Sequence, residues 1–223
     1  MRWTWQNWRR PHPAVLFIFA ILTLILTYPL VTHLSTHVPG SPTWAFDEFT
    51  YLWNQWWFKY SVLDLQANPF HSDLIYYPLG IDLVLYTYHL FHAVLGLPLQ
   101  LAASVPFASN LMLWFSTITG GYGAFLLVRW LLRDQRYATP WLAYLPALGA
   151  GLLYAFSANR AIYQALGHYS IANVQWLPFA LLYLRRRWLT GQGGLFDCAY
   201  RLREDASGAG WMLGVARYRG ENL

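Results

Sequence analysis

Charge and cysteine are both scarce in this chain of 223 residues. Charged residues make up 11% of it, whereas an average soluble domain contains about 25%. Cys198 is the single cysteine, so the chain can form neither an internal disulfide nor a thiolate metal cluster. The low charge content favours lipid over water as the medium around much of the chain.

Apolar and aromatic residues are correspondingly abundant in the sequence. Hydrophobic residues account for 57% of the sequence, and it contains 13 Trp and 16 Tyr, whose amphipathic rings collect at membrane interfaces. The formal net charge of +5 does not indicate nucleic-acid binding, because the basic residues form short clusters that flank apolar runs. Nucleotide-binding, zinc-protease and serine-hydrolase motifs are also missing from the sequence.

Four apolar segments are long enough to predict membrane-spanning helices. A hydrocarbon core about 30 Å thick requires about 20 residues of α-helix. The first segment follows Arg2, Arg9 and Arg10, but it is longer than a signal-peptide core and no clear cleavage site follows it. The sequence therefore predicts an all-α, polytopic integral membrane protein. Its spans cover residues 14–34, 108–131, 141–157 and 171–187.

Basic clusters set the predicted orientation, because cytoplasmic loops gather Lys and Arg near span ends. Such clusters occur at the N-terminus, at 129–136 and at 185–187. A fifth apolar run, 84–104, is interrupted by polar residues, Gly and Pro. All three clusters are cytoplasmic only if that run does not cross. We therefore expect a multi-pass cell-membrane protein with a cytoplasmic N-terminus, and a juxtamembrane helix at 84–104.

Residues 36–107 then form a long external loop. Residues 44–66 are rich in aromatic side chains and predict a helix that lies at the membrane interface. The segment YYPLGID predicts a turn, since Pro fixes φ and Gly permits a positive φ. Residues 188–223 contain no further apolar span. They predict either an irregular cytoplasmic tail or a chain whose natural continuation has been lost.

Adjacent carboxylates form the first candidate site. Asp47 and Glu48 open the aromatic helix on the external side, where they could bind a divalent cation such as Mg²⁺ or Mn²⁺, or act as a general base. The structural alternative is helix capping, because acidic residues in the first turn offset the helix dipole. The sequence leaves both interpretations open.

Two further groups of residues are weaker candidates. His89 and His92 share one helix face and could bind a metal or a phosphate, although metal sites need three or four ligands and a polar stripe is the alternative. In a second external loop, Arg160, His168 and Tyr169 could hold a lipid phosphate. Ordinary loop polarity with an aromatic anchor explains the same residues.

The order of these features resembles the N-terminal part of the GT-C superfamily of membrane glycosyltransferases, which use polyprenyl-phosphate-linked sugars. The resemblance covers about Ala14 to Arg187 and rests on FDEFTYLW, YYPLGIDL and LGHYSIANVQWLPFALLYLRR. It implies sugar transfer with Asp47 as general base or metal ligand, and Arg160 and His168 near the leaving phosphate. Membrane lipid and a polyprenyl-phosphate sugar are the implied partners. Complete members of the family carry more spans, which would make this chain a truncated relative.

Two functions of other classes fit the same sequence. The chain could be a non-catalytic membrane protein with a structural or assembly role, in which Asp47 only caps a helix. It could also be a transporter module, but transporters place ionisable residues and broken helices at mid-membrane. The predicted spans lack central charges, so this alternative ranks below the other two.

Overall fold

The computed structural model describes residues 12–40, 43, 47–133, 142 and 144–190, and these are mainly α-helical. The helices are α1 (His12–Leu26), α2 (Glu48–Lys59), α3 (Leu90–Ala102), α4 (Val105–Leu131), α5 (Leu145–Ala155), α6 (Ala158–Ala165), α7 (Tyr169–Ala172) and α8 (Leu177–Thr190). A short antiparallel pair joins β1 (His71–Ser72) to β2 (Ile81–Asp82). Trp44, Cys198 and most of the predicted tail lie outside the described residues. The prediction of a helical fold is confirmed.

The chain divides into two compact units, Met1–Phe179 and Ala180–Leu223. The packing among helices α1 to α7 lies within the first unit. The second unit contains most of α8, whose last turn is basic and includes Arg187. Within that unit the Arg187 guanidinium lies 5.1 Å from the centre of the Tyr183 ring.

Helix α4 is the central helix of the first unit. Its 27 residues correspond to about 40 Å, and within the described residues it alone is long and apolar enough to cross a membrane. Its start is defined by Ser104, whose hydroxyl accepts a hydrogen bond from the Phe107 amide at 3.2 Å. The predicted helix at 108–131 is therefore present and begins three residues earlier.

The other predicted spans are shorter or interrupted as helices. Helix α1 ends at Leu26 instead of 34, because Pro29 offers no amide hydrogen and the chain turns into a 3₁₀ helix at Leu30–Thr32. Helix α5 has 11 residues, or about 16 Å. The segment predicted at 171–187 is divided between α7 and α8. Apolar composition located these segments, whereas prolines and polar gaps fix where the helices end.

Helices α1, α4 and α5 approach closely through glycines. Phe19 of α1 is fully buried, and it fills a gap that Gly121 of α4 and Gly151 of α5 leave open. A Cβ atom on Gly151 would lie 2.6 Å from Phe19 Cζ and 2.7 Å from the Gly121 carbonyl oxygen. A Cβ atom on Gly121 would lie 2.9 Å from both Phe19 and Ala155. Small residues at such contacts let helix backbones pack tightly.

Both segments that were predicted to form helices beside the membrane are helical. Helix α2 and the π-helical turn at Tyr60–Asp64 occupy most of the range 44–66, where one helix was expected. Helix α3 lies within the apolar run at 84–104. Its 13 residues extend about 20 Å, which is less than the hydrocarbon core of about 30 Å. Both helices pack against α4. Tyr51 and Trp57 of α2 are buried, so one face of the aromatic helix belongs to the protein core.

The predicted turn at YYPLGID closes the hairpin between β1 and β2. Gly80 has φ +70°, a value that Gly adopts at little cost. At the base of the hairpin, the two ring nitrogens of His71 lie 2.8 Å from Asp82 Oδ1 and 3.0 Å from Asp73 Oδ1. Carboxylate oxygens only accept, so both contacts are hydrogen bonds when the imidazole is doubly protonated. These bonds, to Asp82 and then Asp73, raise the pKa of His71.

We expect the hairpin to loosen as pH rises. A raised folded-state pKa means that the stabilisation is fully present below the ordinary histidine pKa of about 6.5 and is lost as pH rises through the higher folded-state value. Chymotryptic cleavage after Tyr76, which is strongly exposed, reports on the opening. The ratio of cleavage rates of the natural chain and a His71→Gln variant should rise between pH 6 and pH 8.5. A constant ratio would show that His71 does not hold the hairpin.

Candidate functional site

The acidic pair meets the second predicted external loop. Asp47 stands at the N-terminal cap of α2, but its side chain makes no capping hydrogen bond. Instead His168 Nδ1 donates to Asp47 Oδ2 at 2.9 Å. The two side chains are 27% (His168) and 42% (Asp47) exposed, so the pair faces solvent. An accessible carboxylate held by an imidazole can exchange a proton with a bound molecule.

Glu48 has a different environment from its neighbour. Its side chain is 3% exposed and fits between two glycines: a Cβ atom on Gly40 would lie 2.6 Å from Glu48 Oε1, and one on Gly167 would lie 2.6 Å from Glu48 Cβ. Gly167 also has φ +70°. Glu48 Oε2 has no hydrogen-bond partner among the described residues. Glu48 therefore does not share the exposed surface of Asp47.

The predicted metal sites gain no further ligand. Within the described ranges, no three His, Cys, Asp or Glu side chains come together in a group suited to a metal ion. His89 and His92 do share one face, with ring centres 5.9 Å apart, as their spacing predicts. Both ring nitrogens of His92 already lie near side-chain amides, 3.5 Å from Asn173 Nδ2 and 3.2 Å from Gln175 Nε2.

Tyr169 joins the second loop to the aromatic helix. Its side chain is 3% exposed, and its hydroxyl accepts a hydrogen bond from Ser109 Oγ at 2.9 Å. Burial raises the pKa of Tyr169 to about 12. The Tyr169 ring stacks on Tyr51 at 5.2 Å, and Tyr51 meets His89 edge-on at 4.8 Å. Tyr169 thus helps to hold His168, the next residue toward the N-terminus, against α2.

A buried chain of hydrogen bonds connects α3 to α6. Ser116 Oγ donates to Gln175 Oε1 at 2.8 Å, and Gln175 Nε2 lies 3.2 Å from His92 Nε2. Arg160 Nη2 donates to Ser116 Oγ at 2.9 Å. Burial lowers the pKa of His92 to about 4, so this imidazole is neutral near pH 7. This series of hydrogen bonds holds α3, α4 and α6 together through buried polar groups.

Arg160 is a buried cation with unused donors. Its side chain is 4% exposed, and burial lowers its pKa to about 10. Neither Nε nor Nη1 has a hydrogen-bond partner in the part of the chain that the structure describes. The predicted trio of Arg160, His168 and Tyr169 therefore divides into three environments, centred on Ser116, Asp47 and Ser109 respectively.

A cleft of about 720 Å³ lies beside residues 38–40, which form part of its lining. The C-terminal end of α1 and residues 28–40 form one wall, and residues of α4 and α6 form the other. Pro39 and Gly40 line the cleft and also contact the region of Gly167 and Glu48. The Asp47–His168 pair is therefore adjacent to one wall of the cleft.

Sequence reasoning missed His33 and His37, which line this cleft. Their rings meet edge-on with centres 4.8 Å apart. A signal was present in the sequence, because Thr-His occurs twice, four residues apart, in VTHLSTH. Residues 31–34 of that repeat end the predicted first span, and His37 falls in the predicted external loop that begins at residue 36.

Comparisons with known proteins leave the function open. Residues 173–223 match the model of a family that is described as a protein of unknown function, DUF2550. No curated protein matches the chain, and no solved structure does. The matched residues contain neither Asp47 nor His168 nor any residue of the cleft, so the match assigns no chemistry to them.

Proposed function

We propose that this protein is a membrane glycosyltransferase-like protein that transfers a sugar from a polyprenyl-phosphate donor to an extracytoplasmic acceptor. The contact between Asp47 and His168 is the observation that supports it most. Two segments that the sequence assigns to the same side of the membrane meet there in an exposed carboxylate–imidazole pair of 2.9 Å. Such a pair suits proton removal from a hydroxyl group.

In the proposed reaction, Asp47 acts as general base. The acceptor hydroxyl oxygen attacks the anomeric carbon and forms the new glycosidic bond, while its proton passes to the Asp47 carboxylate. The bond between the anomeric carbon and the phosphate oxygen breaks, and the polyprenyl phosphate leaves with the bonding electrons. The unused Nε and Nη1 donors of Arg160 are the groups that we propose for the leaving phosphate.

A multi-pass arrangement with a cytoplasmic N-terminus is part of the proposal. Helix α4 has the length and apolarity of a span, and it ends in a basic turn with Arg129, as the cytoplasmic end of a span commonly does. The segments 14–34, 141–157 and 171–187 would complete the membrane domain. Asp47 and His168 would then both face away from the cytosol.

The non-catalytic alternative is less well supported. In that alternative Asp47 was predicted to cap α2, in which case the carboxylate would accept a hydrogen bond from the first turn of the helix. The Asp47 side chain makes no such bond. Its partner is His168, a residue that a cap does not need.

Variants of His168 test the proposed division of roles. His168→Leu removes the donor that orients the Asp47 carboxylate, and we expect sugar transfer to fall on the order of tenfold to a hundredfold. His168→Asn places an amide donor close to the position of Nδ1 and should recover most of the rate. Turnover of a radiolabelled polyprenyl-phosphate sugar by the full chain in liposomes measures both variants. If Asn is as slow as Leu, His168 itself is the base and the role given to Asp47 is wrong.

A further inference from the structure

The cleft beside the site has an apolar interior. Its volume of about 720 Å³ lies in the range of about 300–1,000 Å³ that is usual for small-molecule sites. Leu26, Leu113 and Phe156 contribute apolar side chains to its lining. Thr23 and Thr27 also line it, but their hydroxyls donate to the carbonyls of the residues four positions earlier, each at 2.7 Å. These threonines therefore present mainly their methyl groups to a ligand.

Two histidines stand in the lining, and each contacts the hydroxyl of the preceding threonine through Nδ1. Thr32 Oγ1 donates its hydrogen to the Pro29 carbonyl at 2.7 Å and also lies 2.7 Å from His33 Nδ1. With the hydroxyl hydrogen placed on that carbonyl, we assign the donor of the second contact to His33 Nδ1–H. Thr36 and His37 repeat the arrangement, at 3.3 Å and 2.8 Å. In this tautomer the Nε2 lone pair of each ring is left as an acceptor.

The lining favours a ligand that brings its own hydrogen-bond donors. No described residue donates to Nε2 of His33 or His37, and the described residues of the lining include no Lys, Arg, Asp or Glu. An anionic head group would find no permanent cation there. A hydroxylated head group offers O–H donors that match two imidazole acceptors.

We infer that the cleft binds an amphiphile with one apolar chain and a neutral, hydroxylated head group, such as a glycolipid, whose hydroxyls donate to Nε2 of His33 and His37. The apolar chain lies between the end of α1 and α6. If the proposed function holds, this ligand is the acceptor of the sugar, and that assignment rests on the proposed function. The ligand site itself does not.

Photolabelling of the full chain in lipid nanodiscs tests the inference. Three probes carry the same diazirine-bearing alkyl chain: a glucoside, a tri(ethylene glycol) monomethyl ether that donates no hydrogen bond, and a phosphate. We expect the glucoside to label about tenfold more than the other two, in peptides that contain residues 26–37 or 161–165. Equal labelling by the ether or the phosphate would overturn the head-group assignment, and labelling confined to other peptides would overturn the site.

Variants separate the chain site from the head-group site. Ala161→Trp and Ala165→Trp each fill the cleft from α6 and should reduce glucoside labelling about tenfold. The double change His33→Phe with His37→Phe keeps the rings but removes the acceptors, so it should lower glucoside labelling to the level of the ether. Gln at both positions restores an acceptor and should recover labelling. His71→Phe, on the exposed hairpin, is the matched control and should leave labelling unchanged.

The outcomes also distinguish this inference from the proposed function. If labelling follows these expectations but a change at Asp47 leaves sugar transfer unaltered, the cleft binds its ligand and the proposed chemistry fails. If sugar transfer depends on Asp47 while the Trp and Phe variants label as the natural chain does, the chemistry stands and the cleft assignment fails. Circular dichroism of each variant verifies its helix content, and peptide mapping of the natural chain decides the site even where a variant does not fold.

Discussion

An Asp47→Asn variant is expected to transfer sugar about 10²–10⁴-fold more slowly than the natural chain, which is the usual contribution of a general base. Asparagine has nearly the same shape and can still accept the hydrogen bond that His168 Nδ1 donates at 2.9 Å. It cannot take the acceptor's proton. The loss should therefore appear in kcat, with little change in the helix content of the reconstituted protein.

A second acid in the segment between α1 and α4 provides the matched control. Asp64 lies at the end of the π-helical turn after α2 and is exposed, so Asp64→Asn removes an equal charge without touching the pair. We expect its turnover to remain within about twofold of the natural chain, as for most surface substitutions. Unchanged turnover in Asp47→Asn would remove Asp47 from the mechanism and leave the pair a structural contact.

Local sequence patterns predicted the elements that depend on local physics. The apolar run at 108–131 predicted α4, and the aromatic segment at 44–66 predicted α2. The turn of the hairpin followed from the Pro and Gly of YYPLGID, whereas its two strands were not predicted. The same patterns failed at helix ends, since the apolar run after Ala14 continues past Pro29 although the helix does not.

The candidate site depends on contacts that no local pattern records. Asp47 and Glu48 are neighbours with the same kind of side chain, yet one is exposed beside His168 and the other is buried between Gly40 and Gly167. The difference arises where a loop after α1 meets the start of α7. The environment of Tyr169 could not be predicted from local sequence either. An aromatic residue in a loop suggests a membrane-interface anchor, whereas packing against Tyr51 buries Tyr169.

Adding one methyl group to Gly151 should destabilise the helical core by about 1–3 kcal/mol, the usual result of overpacking. The new Cβ atom would lie 2.6 Å from Phe19 Cζ and 2.7 Å from the Gly121 carbonyl oxygen. The ring can shift, but the carbonyl belongs to the backbone of α4, so α5 must move away from α4. Thermal unfolding of Gly151→Ala in detergent, followed by circular dichroism, measures the loss.

Gly149 on the same helix provides the control for this prediction. Nothing lies within 4 Å of a Cβ atom placed there, so Gly149→Ala meets open space and should stabilise α5 by about 0.5–1 kcal/mol through helix propensity. The two substitutions are chemically identical and two residues apart, so they differ only in what the methyl group contacts. If both variants unfold at the same temperature, α5 does not pack on Gly121 and Phe19, and α1, α4 and α5 do not meet through glycines.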